Sequence, residues 1–232
     1  MKNRTIVAIG GGEIKAKTTL AIDEYIAALA KQRAGDKRAN ALFVGTASHD
    51  YMPYFNSFRK IYTSVFDIKA DVAMTVFKQT EPARLEEKFL KADMIYVGGG
   101  DTRFMIEHWK TSGIDKLIRY AYQRGVIIAG LSAGAICWFE EMYTDSEIVS
   151  GQGFDYKLMP AMGWLKGLAC PHYNERIADF DAVLKNRGGT AVCIENDCAI
   201  VYQNEAIVKT VSAGGKAYIL NAQNDILVKT EV

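Results

Sequence analysis

VIIAGLSAGAICW, residues 126–138, places the apolar run Val126-Ile127-Ile128-Ala129 directly before Gly130-Leu131-Ser132-Ala133-Gly134, with Ala135-Ile136-Cys137-Trp138 behind it. A short apolar run closed by glycine reads as a buried strand, and the residues after it can form a helix. A serine between small residues at such a junction has two readings. The small residues let two backbones pack closely, or they bend the chain sharply and thrust Ser132 out as a nucleophile. The pattern fits G-x-S-x-G, the nucleophile elbow, and the strand-like and helix-like flanks are those an elbow requires. A serine hydroxyl is a weak nucleophile, so this reading also calls for a base and for amides to hold an oxyanion. The amide of Ala133, first of the young helix, suits the second task.

Outward from this stretch, short β-branched runs alternate with longer amphipathic ones. Strands are predicted at 5–9, 41–44, 72–77, 94–97 and 126–129, with helices at 14–33, 54–66, 82–90, 102–109 and 114–123. In the first helix Ile22, Tyr25, Ile26 and Leu29 share a face, with Glu24 and Lys31 opposite. Strand–helix alternation implies an α/β fold, a mostly parallel sheet with helices on both faces. Four strands run into small or polar residues, at 10–13, 45–48, 98–101 and 130–133, and ligands of open α/β sheets bind outside the carboxyl ends of the strands. The glycine clusters are therefore expected on one rim. Beyond Ser132 the chain reads as a loop over 142–162, a strand at 164–170 and a helix at 174–185. A C-terminal antiparallel meander follows, with strands at 199–202, 206–211, 217–220 and 226–228. No linker or repeat interrupts this, and one domain over 1–232 is expected.

Composition narrows the function. With 28 basic and 27 acidic residues the formal net charge is +1, so no global field holds a polyanion; neither nucleic acid nor membrane is an expected partner. The apolar run in MKNRTIVAI is too short for an export signal and leads into Gly10-Gly11-Gly12. Cys137, Cys170, Cys193 and Cys198 form no C-x-x-C pair and sit among apolar residues, as buried thiols of a cytoplasmic protein would. Three scattered histidines and no clustered thiols supply no recognisable metal set, and no cofactor is expected.

Among the histidines, His108 reads as a helix-face residue and His49 as part of a solvated turn. His172, in Cys170-Pro171-His172-Tyr173, follows a predicted strand and precedes a helix, which makes it the candidate base. Glu195, at the end of another apolar stretch, is the candidate for the group that orients the imidazole, with Asp197 and Asp145 as rivals. Gly98-Gly99-Gly100-Asp101-Thr102 lacks the spacing of a phosphate-binding loop but can turn amides toward a carbonyl oxygen; Asp101 or Thr102 also suits a helix N-cap.

Taken in order, Gly98-Gly99-Gly100-Asp101-Thr102, Gly130-Leu131-Ser132-Ala133-Gly134-Ala135, Pro171-His172-Tyr173 and the acidic segment at Glu195 resemble peptidase family S51, which includes aspartyl dipeptidases and cyanophycinase. The resemblance runs from the first strand to about residue 202. It implies a three-layer fold similar to class I glutamine amidotransferases (flavodoxin-like) and a Ser-His-Glu triad of Ser132, His172 and Glu195. The amides of Gly100 and Ala133 would form the oxyanion hole, and Gly99, Asp101, Tyr173 and Arg176 would contact substrate. The family's glutamate aligns with either Glu195 or Asn196. Downstream of His172 the dipeptidases carry a longer loop and then an arginine-bearing helix, whereas here Asn174-Glu175-Arg176-Ile177 follows almost at once. Arg176 is thus either a partner for a substrate carboxylate or a helix-surface charge. The implied activity is hydrolysis of a small peptide, with an esterase or non-peptide amidase as the second reading and a non-catalytic binding module as the third. A homodimer is compatible with an open sheet of this kind.

Overall fold

The computed structural model of the chain describes residues 3–77 and 80–232. In chain order its elements begin with β1 (Thr5–Ile9), α1 (Leu20–Ala34), β2 (Asn40–Val44), α2 (Met52–Ser64), β3 (Lys69–Ala73) and α3 (Pro82–Lys91). Next come β4 (Met94–Val97), α4 (Thr102–Ser112), α5 (Ile114–Gln123), β5 (Ile127–Leu131), α6 (Ala133–Ile136), β6 (Phe139–Thr144) and α7 (Ser146–Val149). The last are β7 (Lys157–Pro160), β8 (Leu165–Cys170), α8 (Tyr173–Arg187), β9 (Gly189–Ile194), β10 (Cys198–Gln203), β11 (Ala206–Ser212), β12 (Ala217–Gln223) and β13 (Ile226–Glu231). Among the described residues no helix is long and apolar enough to cross a membrane.

The strands form two sheets. The first runs β11-β10-β1-β5-β4-β2-β3, parallel from β1 to β3 and antiparallel where β10 and β11 are added. Strands buried on both faces read as continuous apolar runs, and β1, β4 and β5 are buried at every position. The second sheet runs β13-β12-β9-β8-β6-β7, with β6, β8 and β9 parallel and the outer strands antiparallel. The C-terminal antiparallel strands are present and are shared between the sheets: β10 and β11 extend the first, β12 and β13 the second.

Side-chain alternation along the strands sorts the core into layers. Val7, Ile9, Phe43 and Tyr96 face one way, onto Ile22 and Ile26 of α1 and Phe58 and Tyr62 of α2. Ile6, Ala8, Val44 and Val97 face the other way, into a core shared by Met105 and Trp109 of α4, Ile118 of α5, α6 and the second sheet's Phe139, Ala169, Val192 and Ile194. That sheet's far face, with Leu168, Cys170 and Cys193, is covered by Phe180 and Leu184 of α8.

Several predicted boundaries move, each for a local reason. Residues 14–19 form turns, and α1 starts only at Leu20. Lys17 is left-handed, the Thr18 amide donates to the Glu13 carbonyl five residues back at 3.2 Å, and the Thr18 hydroxyl accepts the Glu13 amide, so the segment closes into a turn before the helix begins. The strand predicted at 72–77 ends at Ala73, because the amides of Thr75, Val76 and Phe77 donate to the Asp50 carboxylate at 2.7, 2.6 and 3.2 Å and not to a ladder. The stretch 142–162, read as loop, holds the second half of β6 and all of α7 and β7. β6 is irregular, with a register shift between Phe139 and Glu141, which blurs its alternation.

Candidate active site

β5 delivers Ser132 into a backbone conformation that L-residues rarely adopt, φ 53° and ψ −108°. Hydrogen bonds on both sides hold it there. The Ser132 amide donates to the Ile9 carbonyl at 2.9 Å, and its carbonyl accepts from Ala135 and Ile136 at 2.9 and 3.0 Å as α6 begins. The bend needs both flanking glycines. A Cβ on Gly130 would lie 2.0 Å from the Gly134 carbonyl oxygen, and one on Gly134 would lie 2.2 Å from that of Val97. The alternatives posed by the sequence therefore combine: the small residues are close-packing devices, and the packing they allow is the bend.

The end of β8 supplies the imidazole. After Pro171, His172 is left-handed, φ 49° and ψ 37°, and its amide donates to the Gly10 carbonyl at 3.0 Å. Its Nε2 lies 2.8 Å from Ser132 Oγ, and its Nδ1 lies 2.6 Å from Asn196 Oδ1. Gly11 makes room for this pair, because a Cβ there would stand 2.0 Å from Asn196 Oδ1 and 2.3 Å from His172 Nδ1.

Glu195 does not reach the histidine, which corrects the carboxylate expected at the third position. Its side chain accepts from the Lys216 amide at 2.9 Å, and its own amide donates to the Lys216 carbonyl at 3.0 Å. Neighbouring residues of extended chain point to opposite sides, so once Glu195 pairs toward Lys216 it is Asn196 that faces His172. The rivals are engaged elsewhere. Asp197 accepts from the Thr18 hydroxyl at 2.5 Å, and Asp145 pairs with Arg176 at 2.8 Å.

An ionised carboxylate can only accept, and this settles which way the Asn196 amide faces. Its Nδ2 donates to Glu175 Oε1 at 2.5 Å, which leaves Oδ1 for His172. An acceptor at Nδ1 requires the proton on Nδ1, so Nε2 is free to accept from the serine. Burial, and then the nearby Arg176 guanidinium, hold the imidazole below its ordinary pKa of 6.5, so at neutral pH it is an uncharged base; the Asn196 hydrogen bond, Glu175 and Asp145 oppose this in part.

Ser132 and His172 border a cavity of about 480 Å³, with Glu13, Lys15, Tyr54, Gly99, Gly100 and Asp145 also on its wall. Among the described residues the Gly100 and Ala133 amides have no protein acceptor, as an oxyanion hole requires. A larger cavity of about 560 Å³, between residues such as Lys37, Lys69 and Arg84, lies at the opposite ends of the parallel strands and contains no nucleophile–base pair.

Three expected substrate contacts do other work. Asp101 caps α4 by accepting from the Phe104 amide at 3.1 Å. Tyr173 is fully buried under the second sheet, its hydroxyl donating to Asp181 at 2.7 Å. Arg176 is only 3% exposed; it is held by Asp145 and by the Tyr143 carbonyl, and lies 4.6 Å from the Tyr156 ring centre. The sequence reading missed Glu175, the clearance at Gly11 and the wall formed by Glu13, Lys15 and Tyr54. Only the alignment of Asn196 with the family's acid hinted at the third position.

The profile of peptidase family S51 matches residues 6–210. The uncharacterized peptidase YgaJ of Bacillus subtilis (strain 168) is 33% identical over 233 residues, covering 96% of this chain and 95% of that one. The uncharacterized peptidase Lmo0363 of Listeria monocytogenes serovar 1/2a is 33% identical over 93 residues, 38% of this chain and 43% of that one. Among solved structures, a peptidase from an acI-B1 actinobacterium superposes with a TM-score of 0.73 at 16% identity, over 98% of this chain and 93% of that one, a likeness of fold.

Proposed function

The chain belongs to peptidase family S51 and is a serine-type peptidase, and from that premise we propose that it hydrolyses small peptides through an acyl-enzyme on Ser132, with His172 as general base and Asn196 in the triad's third place. One observation carries the reading: a hydroxyl on a strained elbow, 2.8 Å from the Nε2 of an uncharged imidazole, at the wall of a cavity of about 480 Å³.

The steps follow from the geometry. Nε2 takes the serine proton as Oγ attacks the scissile carbonyl, and the new oxyanion meets the amides of Gly100 and Ala133. Each such donor is typically worth about 10²–10³ in turnover. The imidazolium then gives its proton to the leaving amine, and water activated by the same nitrogen releases the acid. Asparagine in the third place orients the ring as a carboxylate would, without a formal charge of its own, an arrangement also used by Cys-His-Asn peptidases.

The buried ion pair bears on specificity. Arg176 is neutralised by Asp145, so α8 presents no free guanidinium to a substrate carboxylate. A preference for N-terminal aspartyl residues is therefore not expected. Assay of Ser132→Ala on a panel of dipeptides, isoaspartyl peptides and acyl esters tests the whole reading. Turnover of the preferred peptide falls about 10⁴-fold or more with the fold intact. Unchanged peptidase activity would refute the nucleophile, and preference for esters would replace peptide by ester as the substrate class.

A further inference from the structure

Resting on the serine-hydrolase reading, we propose that Glu175 is a positioning residue that locks the Asn196 amide and, through it, the tautomer of His172 able to accept the serine proton. The need for a lock follows from the asparagine. A carboxylate beside Nδ1 can only accept, so it dictates the ring's tautomer unaided. An amide has two faces. With Oδ1 toward the ring, the proton sits on Nδ1 and Nε2 accepts from Ser132. With Nδ2 toward the ring, Nδ1 must accept, the proton moves to Nε2, and the serine faces a donor that cannot take its proton. Both networks satisfy every hydrogen bond within the triad, so the triad alone does not choose between them.

Glu175 breaks the tie. It lies in the first turn of α8, three residues after His172, and its amide donates to the His172 carbonyl at 2.8 Å. Its carboxylate sits 2.5 Å from Asn196 Nδ2, and turning the amide over would set an oxygen against that carboxylate. The Asn196 backbone is also fixed, its amide donating to Asn174 Oδ1 at 2.9 Å, so the side chain cannot escape by a shift of the main chain. The other groups around the ring do not make this choice. Arg176 from α8 and Asp145 from the end of β6 pair with each other, and Ser132 Oγ can both donate and accept.

A two-residue cycle tests the proposal. Glutamine at position 175 can offer an NH₂ group to the asparagine oxygen and so accommodates the overturned amide. Glu175→Gln is expected to lower kcat/KM about tenfold or more, as wrong-tautomer variants of triads do. Asn196→Asp in the otherwise unchanged chain opposes two carboxylates and also loses activity. In the Glu175→Gln background the same Asn196→Asp change raises activity, because a carboxylate needs no lock. Nitrogen-15 NMR of the full chain, with the His172 signals assigned by difference against His172→Gln, reads the tautomer without any substrate. The proton is on Nδ1 in the parent and in the double variant, and moves toward Nε2 in Glu175→Gln. If Glu175→Gln keeps the Nδ1 proton, the proposal is overturned, whatever happens to activity, and additive effects in the cycle overturn it too. Labelling of Ser132 by a phosphonate probe is scored separately in the parent chain. Its absence would remove the hydrolase reading while the NMR still decides the role of Glu175.

Discussion

Ser132 is held at φ 53° and ψ −108°, where a side chain costs on the order of 1–3 kcal/mol and glycine almost nothing. That cost is carried by the surrounding bonds to Ile9, Ala135 and Ile136. Two variants that both delete the hydroxyl should therefore differ in stability. Ser132→Gly is expected to be more stable than Ser132→Ala by about 1 kcal/mol, despite glycine's larger unfolded-state entropy, as measured by urea unfolding. Equal midpoints would mean that the elbow is not strained. The motif and the role it suggests were readable from six residues of sequence. The strain was not, because it arises from β1 and β4 lying against the bend.

At the level of elements, strand ends and glycine clusters were legible wherever backbone bonds stay within the ladder. They were misread where a side chain captured the backbone, as Thr18 does before α1 and Asp50 does after β3. The start of α1 holds a further such group. Asp23 is 1% exposed, takes the hydroxyls of Thr19 and Tyr62 at 2.7 and 2.9 Å, and has its pKa pushed by burial from 3.8 up to about 6. Because the folded form binds this proton more tightly, its contribution to stability is complete below pH 4 and is lost as the pH rises through about 6. Asparagine carries no such titration. Between pH 4 and pH 7 the unfolding free energy of Asp23→Asn should gain on the parent by roughly 2 kcal/mol. A pH-independent difference between the two proteins would contradict the burial of a titrating carboxyl here.

Across the whole molecule, one core joins the two sheets. Trp138 sits within it, its ring centre 5.8 Å from that of Trp109 and 4.7 Å from that of Trp164. If residues 1–232 behave as one domain, far-UV circular dichroism and tryptophan fluorescence should report one unfolding midpoint. Trp138→Ala should lower both together, by about 3–5 kcal/mol of stability. Separate midpoints would divide the chain into two units. What the sequence determined unaided is what near neighbours and strict periodicity encode: the α/β alternation, the parallel strands, the elbow and the histidine after Pro171. Tertiary structure alone decided which side chain meets His172 Nδ1, the withdrawal of Arg176 into a pair with Asp145, and the division of the last four strands between two sheets. The physical reason is that these depend on which side of an extended segment meets a partner. Asn196 faces His172 because Glu195 is drawn to Lys216, and no pattern within residues 194–197 contains that choice.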